Sequence, residues 1–215
     1  MYYQDQRQGL PTVIKNLLII NVIVFVGCWI GEMQLNSDYL LRKFALFHPA
    51  SEYFRWWQPL THMFMHGGIW HIFFNMYTLL IFGIAVERIL GSKRFLIFYF
   101  ACGLGAAALH LAVTWFQLSH GGSVSLLGVP MLGASGAIYG VLIAYAMFYP
   151  DSILTLIFPP ISLKAKWFIL IFAGIELVTG IFGTLDGIAH FAHLGGMIVG
   201  WLLITFWKRS RRLYY

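Results

Sequence analysis

The chain has 215 residues, of which 60% are hydrophobic before its 22 glycines are counted, and only 10% are charged. A soluble domain is about 45–50% apolar with glycine included and about 25% charged, so this sequence lacks the polar residues to cover a water-facing globule. That excludes a disordered chain and most soluble enzymes, and the net charge of +6 does not make a nucleic-acid binder, because Lys and Arg sit at chain ends and in short gaps between apolar runs.

A bilayer core about 30 Å thick is crossed by about 20 apolar residues in a helix. Six runs qualify in chain order: Val13–Gly31, Gly68–Glu87, Phe95–Gln117, Met131–Tyr149, Trp167–Gly183 and Ile188–Trp207. Runs of this length, without strand-type alternation, satisfy their backbone in lipid only as helices. The sequence therefore predicts an all-α integral membrane protein, a single domain over residues 1–215 whose first partner is the lipid bilayer. The first run lacks a small-residue cleavage site and reads as a retained span rather than a signal peptide. Cys28 and Cys102 lie inside apolar runs and read as small buried hydrophobes, with no disulfide framework.

The gaps set the topology. Arg7, Lys15, Arg88, Lys93, Arg94, Lys164, Lys166, Lys208, Arg209, Arg211 and Arg212 fall on one side, and Arg42, Lys43 and Arg55 on the other. The positive-inside rule places both termini in the cytoplasm, as six spans require. The outer segment 32–67 is rich in aromatics (Phe44, Phe47, Tyr53, Phe54, Trp56, Trp57) and suits the membrane interface. The outer gap 118–130 is flexible, carrying Gly121, Gly122 and Gly128, and can dip into the membrane where protein shields it. The inner gap 150–166 holds Pro150, Pro159 and Pro160, which stop a helix.

Polar groups inside a span are costly, so each calls for an explanation. They are His71 and Asn75 in the second run, His110 in the third, Ser135 in the fourth, Glu176 in the fifth, and His190 and His193 in the sixth. Counting helical rise from the inner charges puts Ser135 and His193 each about 22 Å up, and His71 and Asn75 about 25 and 20 Å up. Four polar residues on three helices thus share a level about 8 Å below the outer face of the core. His71 and Asn75 share a helix face, as do Ser135 and Tyr139. Gly133, Gly136 and Gly140 bare one face of the fourth run, and Gly196 and Gly200 follow His193, so the two helices can approach closely.

A hydroxyl and an imidazole brought together in this way make an activated serine. His71, Asn75 and the Ser135 amide are candidate donors to an oxyanion. No carboxylate lies at this level as an obvious third member, so a Ser–His dyad is the expected form. Glu176 counts to about 15 Å deep, where an ordinary unpaired charge is expensive, and it is expected to be protonated or hydrogen-bonded inside the bundle.

These residues resemble the rhomboid intramembrane serine proteases. The Gly-x-Ser-Gly of that family's fourth helix matches Gly133–Gly136, its Ala-His-x-x-Gly-x-x-x-Gly matches Ala192 through Gly200, and its His-x-x-x-Asn matches His71–Asn75. His62 and His66 fit the family's upstream histidines, and Glu87 an acidic position at the end of its second helix. The resemblance implies six helices, Ser135 as nucleophile, His193 as base, and His71 with Asn75 at the oxyanion. It places Tyr139 against the base. It makes Gly133, Gly136, Gly196, Gly200, His190 and His66 supporting residues, although His190 also follows an alanine and competes for the base role. It implies transmembrane protein substrates, no cofactor, no metal and no nucleic acid, in a bacterial inner membrane. Phe74 would border a substrate path between the second and fifth helices. Many family members have Trp-Arg in the first outer loop, where this chain has Trp57-Gln58, which leaves the anchoring of that loop open.

Two other readings compete. Histidines spaced as His62/His66 and His190/His193 suit a metal or haem membrane enzyme, although no His-Glu-x-x-His pattern is present. A non-catalytic relative that binds transmembrane segments is the other, against which the intact Ser135 and His193 weigh.

Overall fold

The computed structural model describes residues 9–35, 38–156, 160–183 and 187–210. Arg7, Arg211 and Arg212 of the charge pattern, and Pro159 of the inner gap, lie outside them. The described chain forms helices α1 (Thr12–Leu35), α2 (Tyr39–Phe44), α3 (Gln58–Thr61), α4 (Ile69–Leu90), α5 (Ser92–Ser119), α6 (Ser135–Phe148), α7 (Ala165–Phe182) and α8 (Gly187–Arg209). Five of them (α1, α4, α5, α7 and α8) are long and apolar enough to cross a membrane, and α6 is a shorter apolar helix. This is a helical membrane bundle. Its outer surface is apolar, with Ile23, Trp29, Trp70, Trp115, Phe182 and Phe206 all more than half exposed, as a lipid solvent requires.

The core sits where α5, α6 and α8 meet, the three most extensively packed helices. Small residues make that meeting possible. A Cβ on Gly136 would stand 2.4 Å from the Ala106 Cβ, and one on Gly140 2.4 Å from the Cys102 Sγ. Gly200 faces the Gly140 backbone at 3.0 Å in the same sense, and Gly195 faces the Gly105 carbonyl at 2.6 Å. Without side chains in the way, backbones pack by dispersion alone, the main attraction left between helices in lipid. Lys208 at the far end of α8 donates to the Met147 carbonyl (2.8 Å), satisfying a carbonyl that the end of α6 leaves open.

The fourth span differs from the sequence expectation of Met131–Tyr149. Residues 129–134 are not helical: Met131 pairs antiparallel with Leu46 through two backbone bonds of 2.8 Å, and Gly133 has φ +118, a value open to glycine. The helix starts only at Ser135 and has 14 residues. At about 1.5 Å per residue it spans about 21 Å, well short of a 30 Å core. A helix of that length alone does not reach from one face of such a core to the other. The non-helical approach to it is shielded by protein, with Leu46 and Ala134 fully buried.

The outer segment is held by a residue that its sequence left open. Gln58, fully buried, accepts from the Phe47 amide (3.3 Å) and donates to the carbonyls of Arg42 (3.0 Å) and Tyr53 (2.8 Å). A single neutral amide thus anchors the loop. The gap 150–166 contains a hairpin the sequence does not announce, β1 (Ile153–Thr155) against β2 (Ser162–Lys164). Asp151 beside it accepts from Lys166 (2.9 Å) and Lys164 (3.0 Å), which hold its carboxyl below the ordinary range.

Candidate active site

Ser135 is the first residue of α6, and its Oγ lies 2.9 Å from Nε2 of His193 on α8. The two residues are 58 positions apart in sequence, and the Gly136–Gly196 contact one residue and three residues further on lets them meet. Tyr139, one turn along α6, stacks on the His193 ring with centroids 4.2 Å apart and planes 7° from parallel. His190 does not reach the serine: its Nδ1 lies 2.6 Å from Glu176 Oε2.

His71 stands on the opposite wall. An added Cβ on Gly133 would be 2.8 Å from His71 Nε2 and 3.7 Å from Ser135 Oγ, so both atoms border the same small space. The Gly67 amide donates to His71 Nδ1 (3.3 Å). With that nitrogen accepting, a neutral His71 carries its proton on Nε2, the nitrogen facing Gly133. Asn75, one turn along α4 and 7% exposed, has an amide nitrogen with no hydrogen-bond partner. A buried donor left unpaired costs free energy, which a ligand oxygen would recover. As the first residue of α6, Ser135 also has a backbone N–H beyond the reach of the intrahelical ladder, at the positive end of the helix dipole.

The upstream histidines form the outer wall. His62, 1% exposed, places Nδ1 3.0 Å from the Gln58 carbonyl, and its own carbonyl accepts from the Gly133 amide (2.9 Å). Burial pushes its imidazole down to about 4. His66 packs edge-on against His71 with centroids 5.1 Å apart. Its imidazole is also pushed down to about 4, chiefly by burial and secondarily by His71.

The sequence places no carboxylate at the level of the serine, and here the structure corrects it. Glu176 on α7, 6% exposed, reaches across to α6 and α8. Its Oε1 accepts from the Tyr139 hydroxyl, and its Oε2 lies 2.6 Å from His190 Nδ1 and 3.0 Å from His193 Nδ1. The last contact is short but off the line of a formed hydrogen bond. The expectation that Glu176 is hydrogen-bonded inside the bundle describes its surroundings, and the depth count alone missed its reach. Tyr139 offered a signal. It lies one turn below Ser135, about 6 Å lower along the helix, which brings it to the level counted for Glu176. Asn21 is a further buried polar residue absent from the sequence set, and it donates to the Leu17 carbonyl of its own helix (2.7 Å).

Glu176, His190 and His193 also present three metal-ligand atoms within 4.8 Å of one another, while His62 and His66 form no such group among the described residues. Tetrahedral ligands on zinc stand about 3.3 Å apart. The 2.6 Å separation is that of a hydrogen-bonded pair, so Glu176 and His190 fit one another better than they fit an ion.

A short apolar helix within a membrane bundle thus begins with a serine that faces a histidine. The Rhomboid domain pattern matches residues 53–210, and the chain belongs to the rhomboid family. It is 30% identical over 136 residues to Rhomboid protease GluP of Bacillus subtilis, covering 63% of this chain and 24% of that one. It is 28% identical to Rhomboid protease AarA of Providencia stuartii, covering 87% and 69%. With Rhomboid protease GlpG of Pectobacterium atrosepticum it shares 27% identity over 96% of this chain and 66% of that one. The chain thus spans only part of each of these relatives.

Proposed function

We propose that this chain is an intramembrane serine endopeptidase that cuts transmembrane segments of membrane-protein substrates. The observation that carries the reading is the 2.9 Å contact between Ser135 Oγ and His193 Nε2 at the part-buried start of α6. Ser135 attacks the scissile carbonyl while His193 Nε2 takes its proton, then returns that proton to the leaving amine. His71 Nε2–H, the Asn75 amide and the Ser135 N–H receive the developing oxyanion, aided by the α6 dipole. His190 and His66 support Glu176 and His71, and Gly133, Gly136, Gly196 and Gly200 keep the helices close enough for the pair to meet.

A helix hides its carbonyls, so the substrate must unwind locally to be cut. Entry between α4 and α7 is supported by the little direct contact these helices make. Phe74, 61% exposed on α4, is the side chain we assign to the edge of that path. The charge pattern supports cytoplasmic termini and a site near the outer face, and a bacterial inner membrane is the location we assign on this reading. No cofactor enters this chemistry. The test is reconstitution in lipid vesicles with a tagged single-span substrate. Cleavage is expected from the native chain and none from Ser135→Ala, and equal cleavage by both would defeat the proposal.

A further inference from the structure

We infer that Glu176 is a positioning residue for the reaction, the third member of a Ser135–His193–Glu176 chain in place of a simple dyad. The inference rests on the protease reading above.

His193 Nε2 can accept the Ser135 proton only if it is bare, so the resting proton of a neutral ring must sit on Nδ1. That nitrogen is buried, and the acceptor beside it is Glu176 Oε2 at 3.0 Å. A carboxylate there favours Nδ1–H over Nε2–H and stabilises the imidazolium that forms when the serine gives up its proton. A purely structural Glu176 would be satisfied by the Tyr139 hydroxyl and His190 Nδ1 alone. Instead, the oxygen shared with His190 is also turned toward His193. Tyr139 links the parts: its ring stacks on His193 while its hydroxyl holds the other carboxylate oxygen, so one side chain sets the relation of base and acid. Groups from two other helices converge on this carboxylate, and an intramembrane acid held in that way needs a reason to be kept.

In the proposed step the Ser135 Oγ–carbonyl carbon bond forms as the Oγ proton passes to His193 Nε2. Nδ1–H stays on the ring and donates to Glu176, which remains ionised throughout. Collapse of the intermediate breaks the carbon–nitrogen bond, and the Nε2 proton leaves with the amine.

Glu176→Gln tests this. Its amide can donate to Nδ1 and so favour the unproductive Nε2–H tautomer while preserving volume. The expected result is a loss of about a thousand- to ten-thousandfold in kcat for a single-span substrate and in the rate of fluorophosphonate labelling, with KM little changed. Glu176→Asp should recover part of the loss. Labelling of Glu176→Gln within threefold of the native rate would overturn the inference. If Glu176→Gln does not fold, nitrogen-15 NMR of the histidine-labelled native protein decides: a protonated His193 Nδ1 is required, and a bare one overturns the role. Native protein whose labelling does not depend on Ser135 would defeat the protease reading itself, a separate outcome.

Discussion

Gly196 on α8 faces Gly136 on α6 so closely that an added Cβ would stand 1.8 Å from the Gly136 carbonyl oxygen. A backbone oxygen cannot rotate aside as a long side chain can, so the helices would have to separate. Alanine gains about 1 kcal/mol in helix propensity over glycine, but overpacking typically costs about 1–3 kcal/mol. Gly196→Ala is therefore expected to lower the melting temperature and to reduce activity at least tenfold. Gly174→Ala on α7, where a Cβ would meet nothing within 4 Å, should be neutral or stabilising. Equal behaviour of the two variants in thermal unfolding would contradict this account of the packing.

Glu87 fastens α1 to α4. Its carboxylate, 2% exposed, accepts from the amides of Val13 (3.0 Å) and Ile14 (2.8 Å) and from Ser92 Oγ (2.6 Å). It satisfies the open amides of the α1 start and complements its dipole. Glu87→Ala should destabilise by about 1–3 kcal/mol through those unpaired donors, while Glu87→Gln should lose less because it keeps one acceptor. Unfolding curves in detergent that match the native chain for both variants would refute this.

His62 lies outside the spanning helices, and burial holds its imidazole at about 4 in the folded chain against 6.5 unfolded. The unfolded state therefore binds the extra proton first, and stability falls as pH drops from about 6.5 to about 4. The loss from this group approaches about 3 kcal/mol at the acid end. His62→Gln should be less stable at pH 7 yet show a flatter decline over that interval. A melting-temperature profile as steep as the native one would show that another group is responsible.

Asn75→Ala removes a buried donor that has no partner in the resting chain, so its loss should be felt mainly in the transition state. We expect kcat to fall about a hundredfold with KM nearly unchanged, and a similar pattern for His71→Ala. An Asn75→Ala enzyme with native kcat would remove that residue from the reaction.

Much of this architecture was legible in the sequence because so few residues inside the spans are polar. Ser135 and His193 counted to one depth, and the glycines beside each announced a close approach. Glu176 was hidden because the count treats helices as vertical and side chains as points at their Cα atoms, whereas a tyrosine and a glutamate together bridge most of a helical turn. The start of α6 was misplaced because Met131 and Leu132 are apolar and extend the run, while the determinants that end it are the bond to Leu46 and the glycine conformation at 133. Gln58 in the outer loop gave no signal, since its three partners are backbone groups that only the folded segment brings together.

The central claim is that Ser135 is a nucleophile activated by His193. Treating the purified protein with a fluorophosphonate and locating the adduct by peptide mass spectrometry tests it without knowledge of the substrate. The account predicts one adduct, on Ser135, absent in Ser135→Ala and slowed at least a thousandfold in His193→Ala. An adduct that persists in Ser135→Ala, or a native chain that remains unlabelled, would contradict it.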